Sequence, residues 1–214
     1  MGYKFCLASY PTLSTRLGKI AGNPCEGIKQ LYSENRSEII WTESDLVQLK
    51  RACTAEIAHA VDLAAHTGLR LGDLLRLSWS HVRADTITIS TGKSNHRREA
   101  IIPLYDGLRS VLGNIPKRST IVLTNSRHQP WTRNGFGSSF GKAKIAAGFA
   151  DRDLHFHDLR GTAATRFYTA GLSERVIAEI MGWEEEYVAR IMRRYVDRSA
   201  ATRAIIEQLN EGRT

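Results

Sequence analysis

The feature that most constrains the fold is a pattern of two β-strands set between longer helical stretches. Residues Thr86–Ser90 alternate threonine with isoleucine, and Glu99–Pro103 return as a partner strand after turn residues at Thr91–Asn95. Ile121–Thr124 is expected to form one more short strand. The sequence therefore predicts a mainly α fold with a small antiparallel β-sheet, an α+β domain.

Helical patterns lie on both sides of the hairpin. A helix is predicted to start at Thr42, where an acidic residue stands at the fourth position of the phrase Thr42–Asp45. Ala55–Thr67 is rich in alanine and is followed by Gly68, and Leu69–Ser80 carries a leucine stripe that predicts a third helix. From about residue 134 the pattern is helical in four or five segments, with breaks expected at Gly148, Gly171, Gly182 and near Asp197.

Residues 1–40 differ from the rest of the chain, because prolines and glycines interrupt any periodic pattern there. We predict that this segment is a linker or the remnant of an N-terminal DNA-binding module. Residues 41–214 then form the main domain. With 214 residues, of which 42% are hydrophobic, the chain is long enough and apolar enough to bury the core of one such domain.

The composition favours a polyanionic partner. Lysine and arginine number 30 against 22 acidic residues, a net charge of +8, which favours nucleic acid because neutralised phosphates release counterions. The alternative is a basic protein that binds no nucleic acid, which the charge alone does not distinguish. The three cysteines Cys6, Cys25 and Cys53 have no spacing typical of zinc or disulfide sites, and no apolar run resembles a membrane span or a secretory signal. A cytoplasmic protein without a membrane partner, metal or cofactor is expected.

Two arginines stand in phrases that suggest an anion site. His157 and Arg160 are three residues apart, so on a helix starting near Phe156 they would share a face beside unpaired backbone N–H groups. The alternative is that His157 caps the helix while Arg160 pairs with Asp158. His155 competes for the histidine role.

Arg70 follows a glycine and opens a predicted helix, a position that the helix dipole makes unfavourable for a cation. This placement indicates either an ion pair with Asp73 or an anionic ligand. The planar guanidinium suits phosphate because it donates two parallel charge-assisted bonds.

Lys93 lies on the predicted turn of the hairpin, where it would be able to protonate a leaving alkoxide or would simply be solvated. His96, Arg97 and Arg98 follow on the same hairpin and are expected to contact DNA phosphates. Tyr195 lies among arginines that would favour its phenolate. Of these, Arg193 and Arg194 are also expected to contact DNA. A tyrosine packed on the core is the alternative, and Tyr187 and Tyr168 are rival candidates.

Taken in order, these residues give the chain a family resemblance. The phrases Thr67–Trp79 and His157–Thr165 carry it, and from about Thr42 onward the chain resembles the catalytic domain of tyrosine recombinases, the phage-integrase family. The resemblance implies that Arg70 and Arg160 clamp the phosphate. It also implies catalytic roles for Lys93, His157 and Tyr195, and for Trp183 at a position where most members carry histidine.

Two departures from the family pattern stand out. Tyr195 follows Trp183 by twelve residues, a longer spacing than the family pattern implies, and the acidic run Glu184–Glu186 lies between them. Only about forty residues precede the catalytic domain, where members carry a helical DNA-binding domain. A fragment or a short form is therefore expected.

The reaction implied by the resemblance is integration or recombination of double-stranded DNA through a 3′-phosphotyrosyl intermediate. Neither a metal nor a nucleotide cofactor is implied, and four protomers would act together on two duplexes. Residues 200–209 are a candidate contact with a neighbouring protomer, or a terminal helix docked on its own domain. A DNA-binding regulator or decayed integrase without strand-exchange activity is the main alternative, and a type IB topoisomerase is a third.

Overall fold

The computed structural model describes residues 39–92 and 99–195, together with positions 206 and 210. These residues form a mainly helical domain with one two-stranded antiparallel sheet, as the sequence predicted. The elements in chain order are α1 (Glu43–Ala52), α2 (Ala55–Thr67), α3 (Leu71–Leu74), a 3₁₀ turn (Trp79–His81), β1 (Thr86–Ser90), β2 (Glu99–Pro103), α4 (Asp106–Gly113), α5 (Arg133–Ala146), a second 3₁₀ turn (Phe156–Asp158), α6 (Leu159–Thr169), α7 (Glu174–Met181) and α8 (Glu185–Tyr195).

Helix α1 begins where the sequence predicted, and helix α2 begins and ends where the sequence predicted. Thr42 caps α1 through a reciprocal pair of bonds: its hydroxyl accepts from the Asp45 amide at 3.2 Å, and the Asp45 carboxylate accepts from the Thr42 amide at 3.0 Å. Helix α2 ends at Gly68, which adopts the left-handed conformation with φ of 63°. Local capping chemistry therefore defines the start of α1 and the end of α2.

The prediction of a third helix over Leu69–Ser80 was wrong, because α3 spans a single turn. The helix does not continue because backbone groups from Leu77 onward bond to a distant segment. The Leu77 carbonyl accepts the Val122 amide at 2.8 Å, and the Trp79 amide donates to the Thr120 carbonyl at 3.0 Å. The strand predicted at Ile121–Thr124 was also wrong, since that segment makes isolated bridges instead. The leucine stripe is buried nonetheless, at Leu74, Leu75 and Leu77.

The β-hairpin has the predicted strands in antiparallel register, with Ser90 opposite Glu99 and Thr86 opposite Pro103. Alternate side chains enter the core, namely Ile87, Ile89, Ala100 and Ile102. The hairpin turn at residues 93–98 lies outside the described residues.

Helix α2 lies at the centre of the domain and packs against α1, α4 and α6. Its alanine-rich sequence allows that close approach, and Ala60, Val61, Ala64 and Ala65 are all buried. An aromatic cluster fills the space between α1 and α5. Its members are Trp41, Phe136, Phe140, Phe149 and Phe156.

The later helices are separated at the predicted glycines, since Gly148, Gly171 and Gly182 all have positive φ. The break expected near Asp197 and the segment 1–38 lie outside the described residues, so the division of the chain at about residue 40 stays a prediction. None of the described helices is long and apolar enough to cross a membrane.

Candidate active site

Arg160 is the most buried cation among the described residues of the site, with 4% of its surface exposed. Its guanidinium donates one hydrogen bond to the Gly68 carbonyl at 2.5 Å and one to the Met181 carbonyl at 2.6 Å. These carbonyls lie at the C-terminal ends of α2 and α7, where the helix dipoles concentrate partial negative charge. Two helix ends therefore hold the arginine in one orientation.

Left-handed glycines create this arrangement. Gly68 ends α2, and a Cβ atom at this position would overlap the Met181 sulfur. Gly182 ends α7 with φ of 62°, and there the Trp183 amide donates to the Ala178 carbonyl at 3.0 Å. The same turn that exposes the Met181 carbonyl to Arg160 therefore fixes the backbone of Trp183.

The electrostatics of Arg160 leave it short of negative partners. Burial, together with the nearby positive charge of Arg70, lowers its pKa to about 9, even though Asp73 and Tyr187 act in the opposite direction. The group is still protonated at neutral pH. Its Nε–H is buried and has no hydrogen-bond acceptor among the described residues. An anion placed between Arg70 and Arg160 would relieve the repulsion between them.

Arg70 is half-buried and lies at the N-cap of α3. The ion pair with Asp73, one of the two interpretations of the sequence, is not formed: Asp73 pairs with Arg76 at 2.7 Å and accepts the Gly92 amide at 3.0 Å. Among the described residues no ion pair involves Arg70. Its charge is therefore available for a ligand.

Arg70 and Arg160 line one cavity of about 260 Å³, so the structure brings together the two arginines that the sequence singled out. The cavity is bounded by the end of α2, by α3, by the first residues of β2 and by the end of α7. Its other lining residues include Gly68, Asp73, Thr91, Glu99, Glu179 and Met181.

Trp183 lies beside this cavity and contacts the second arginine. The Arg160 guanidinium carbon lies 5.1 Å from the centre of the indole ring. The Tyr187 ring meets the same indole edge to face, with 4.9 Å between ring centres and an angle of 78°. Arg190 in turn lies 5.3 Å from the centre of the Tyr187 ring. A continuous series of contacts therefore links Arg160 to helix α8.

His157 is exposed in the second 3₁₀ turn, one turn before Arg160, and it is not among the residues that line the cavity. The alternative pairing of Arg160 with Asp158 is not the arrangement found, because Arg160 bonds to backbone carbonyls while the Asp158 carboxylate accepts the His155 amide at 2.6 Å. His155 lies 3.5 Å from Asp153.

The remaining candidates are partly or wholly beyond the described residues. Arg193 is exposed on α8, and the backbones of Arg194 and Tyr195 form the last turn of that helix, although their side chains are outside the description. Lys93, His96, Arg97 and Arg98 fall in the segment that is not described. Within the described residues no group of three histidine, cysteine or acidic side chains is arranged to hold a metal ion.

The sequence interpretation missed the roles of Asp73 and Tyr187. The Asp73 carboxylate accepts the Gly92 amide at 3.0 Å, two residues after β1, a contact between distant segments that no local sequence pattern indicates. The sequence offers Tyr187 only as a rival nucleophile, and its ring contact with Trp183, which precedes α8, is defined by the tertiary arrangement.

The chain is similar to known proteins in sequence and in fold. The model of the phage integrase family matches residues 39–201. The integrase of Escherichia phage HK022 is 26% identical over 184 residues, covering 80% of this chain and 51% of the relative. The shufflon-specific DNA recombinase of Escherichia coli is 32% identical over 123 residues, covering 56% of this chain and 30% of that protein.

Among solved structures, a lambda integrase dimer bound to a COC′ core site superposes with a TM-score of 0.64 at 20% identity, covering 83% of this chain and 54% of that one. At this identity the superposition establishes the fold. The chain spans about half the length of the phage integrase that it matches. Since the family model covers most of the chain, the protein belongs to the phage integrase family.

Proposed function

We propose that this chain carries the catalytic site of a site-specific DNA recombinase or integrase, which cleaves and rejoins DNA through a 3′-phosphotyrosyl intermediate. The observation that carries the proposal is the cavity lined by Arg70 and Arg160. Among the described residues the buried Arg160 Nε–H has no hydrogen-bond acceptor and Arg70 has no ion pair. A phosphodiester is the anion that suits such a pair in a family of DNA-acting proteins.

The two arginines would stabilise the charge that develops on the nonbridging oxygens during transfer. Arg160 is already oriented by the carbonyls of Gly68 and Met181, so little reorganisation is needed when the phosphate binds. Each charge-assisted hydrogen bond of this kind contributes about 1.5–3 kcal/mol. The Trp183 ring contacts the Arg160 guanidinium, and its indole N–H is proposed as a further donor to the phosphate.

In the proposed reaction the Tyr195 phenolic oxygen attacks the phosphorus, and the bond from phosphorus to the 5′ oxygen breaks. Lys93 protonates the departing 5′ oxygen, and His157 assists proton transfer on the tyrosine side. Attack by a free 5′ hydroxyl on the phosphotyrosine reverses these steps and rejoins the DNA. Because the intermediate conserves the energy of the phosphodiester, no nucleotide cofactor is consumed.

We further propose that the cationic side chains supply the charge stabilisation that Mg²⁺ provides in other phosphoryl-transfer sites. Cleavage in excess EDTA at the rate seen in its absence would support this part. Double-stranded DNA is the proposed partner, contacted also by His96, Arg97, Arg98, Arg193 and Arg194. Strand exchange would require self-association on DNA, with a tetramer joining two duplexes.

The test is covalent capture on nicked duplexes, in which loss of a short 5′-hydroxyl fragment traps the enzyme on DNA. A pool of nicked duplexes with randomised sequence, together with duplexes from the DNA flanking the gene, removes the need to know the site beforehand. We expect an adduct with the wild-type chain and none with Tyr195→Phe. DNA retardation without any adduct would instead favour a binding protein that lacks strand-exchange activity.

A further inference from the structure

We propose that Tyr187 is a positioning residue that holds the Trp183 indole against Arg160, an inference that rests on the proposed function. Tyr187 is half-buried in the first turn of α8, and its amide donates to the Glu184 carbonyl at 3.1 Å. The backbone from which the Tyr187 ring extends is therefore held in the helix that also carries Tyr195.

The geometry of the indole depends on its two neighbours. The turn at Gly182 fixes the backbone of Trp183 but leaves the direction of its side chain undefined. Arg160 lies 5.1 Å from the ring centre, and Tyr187 meets the ring at 78° with 4.9 Å between centres. Edge-to-face contacts at this distance are favourable and strongly directional. Tyr187 therefore selects the orientation in which the indole contacts the guanidinium.

Arg190 extends the same series of contacts to the surface of α8. Its guanidinium carbon lies 5.3 Å from the centre of the Tyr187 ring, one turn further along the helix. The ring of Tyr187 is thus held between an indole and a cation. Loss of the aromatic ring should free the indole, whereas loss of the hydroxyl alone should leave these ring contacts in place.

The kinetic test compares Tyr187→Leu, Tyr187→Phe and Tyr168→Leu in single-turnover cleavage of a nicked duplex selected by the capture assay. Tyr168 is the matched control, because it is also a half-buried tyrosine packed on the edge of the core. We expect Tyr187→Leu to lower the maximal cleavage rate constant about three- to tenfold, with the half-saturating concentration changed less than about twofold. Tyr187→Phe should recover most of the loss, and Tyr168→Leu should leave the cleavage rate constant unchanged.

A spectroscopic readout makes the inference independent of activity. With 5-fluorotryptophan incorporated at the 4 tryptophans, the Trp183 resonance is assigned from its absence in Trp183→Phe. We expect Tyr187→Leu to shift this ¹⁹F resonance and Tyr168→Leu to leave it in place.

The inference is overturned if the Trp183 resonance does not move in Tyr187→Leu, or if Tyr168→Leu lowers the cleavage rate constant as much as Tyr187→Leu does. Loss of the covalent adduct in Tyr187→Phe would also overturn it, because that result would make Tyr187 the nucleophile. An inactive wild-type chain would refute the proposed function instead, and the resonance would still decide whether Tyr187 positions the indole.

Discussion

Substitution of Gly68 by alanine tests whether the left-handed end of α2 is needed for stability and for the orientation of Arg160. Gly68 has φ of 63°, and a left-handed conformation costs an alanine about 1–2 kcal/mol. The added methyl would also overlap the Met181 sulfur, and overpacking of this kind costs about 1–3 kcal/mol. We therefore expect Gly68→Ala to lower the free energy of unfolding by about 2–5 kcal/mol in urea titrations followed by circular dichroism.

Gly148→Ala is the matched control for this experiment. Gly148 also ends a helix with positive φ, at 75°, but the nearest atom to an added methyl is the Gln48 amide nitrogen at 3.8 Å. Gly148→Ala should therefore lower the free energy of unfolding only through the left-handed backbone conformation, by about 1–2 kcal/mol. Gly68→Ala should additionally lower DNA cleavage, because the Gly68 carbonyl that orients Arg160 must shift. Equal destabilisation by the two substitutions, with cleavage intact in both, would refute the reasoning.

Three further predictions concern stability. Burial lowers the pKa of His66 from 6.5 to about 4. Between these pH values the His66 imidazole is protonated in the unfolded chain but not in the folded one, so the free energy of unfolding should fall by about 2 kcal/mol as pH drops from 6.5 to 4. His66→Asn should remove that part of the pH dependence in urea titrations, and an unchanged slope would contradict it. Thr42→Ala should cost about 1 kcal/mol through loss of the α1 cap, and a Tm equal to that of the wild type would count against the capping interaction. Arg76→Met leaves the buried Asp73 carboxylate without its arginine and should cost about 1–3 kcal/mol, whereas a neutral effect would mean that the pair contributes nothing.

The parts of the fold that local chemistry determines could be predicted from the sequence. The cap at Thr42 and the glycine ends at Gly68 and Gly182 are encoded within a few residues of each helix end. The helix predicted over Leu69–Ser80 failed because Leu77 bonds to Val122, a contact that no local pattern records. The leucine stripe correctly indicated burial but not helix length.

The candidate site was predictable in its residue types but not in its geometry. The net charge and the sequence motifs indicated Arg70 and Arg160. The burial of Arg160, however, depends on the Gly68 and Met181 carbonyls, which come from distant segments and both accept its hydrogen bonds. The same tertiary arrangement gave Tyr187 its contact with Trp183. The roles of Lys93, His157 and Tyr195 remain predictions that kinetics must test.

The measurement that tests the central claim most directly is identification of the tyrosine that becomes linked to DNA. Trypsin cleaves after arginine, so Tyr195 lies in the peptide Tyr195–Arg198 while Tyr187 lies in Val176–Arg190. After nuclease digestion of the captured adduct, mass spectrometry should find the nucleotide 3′-phosphate on Tyr195–Arg198 alone. Recovery of the modification on Val176–Arg190, or on any peptide without Tyr195, would contradict the account.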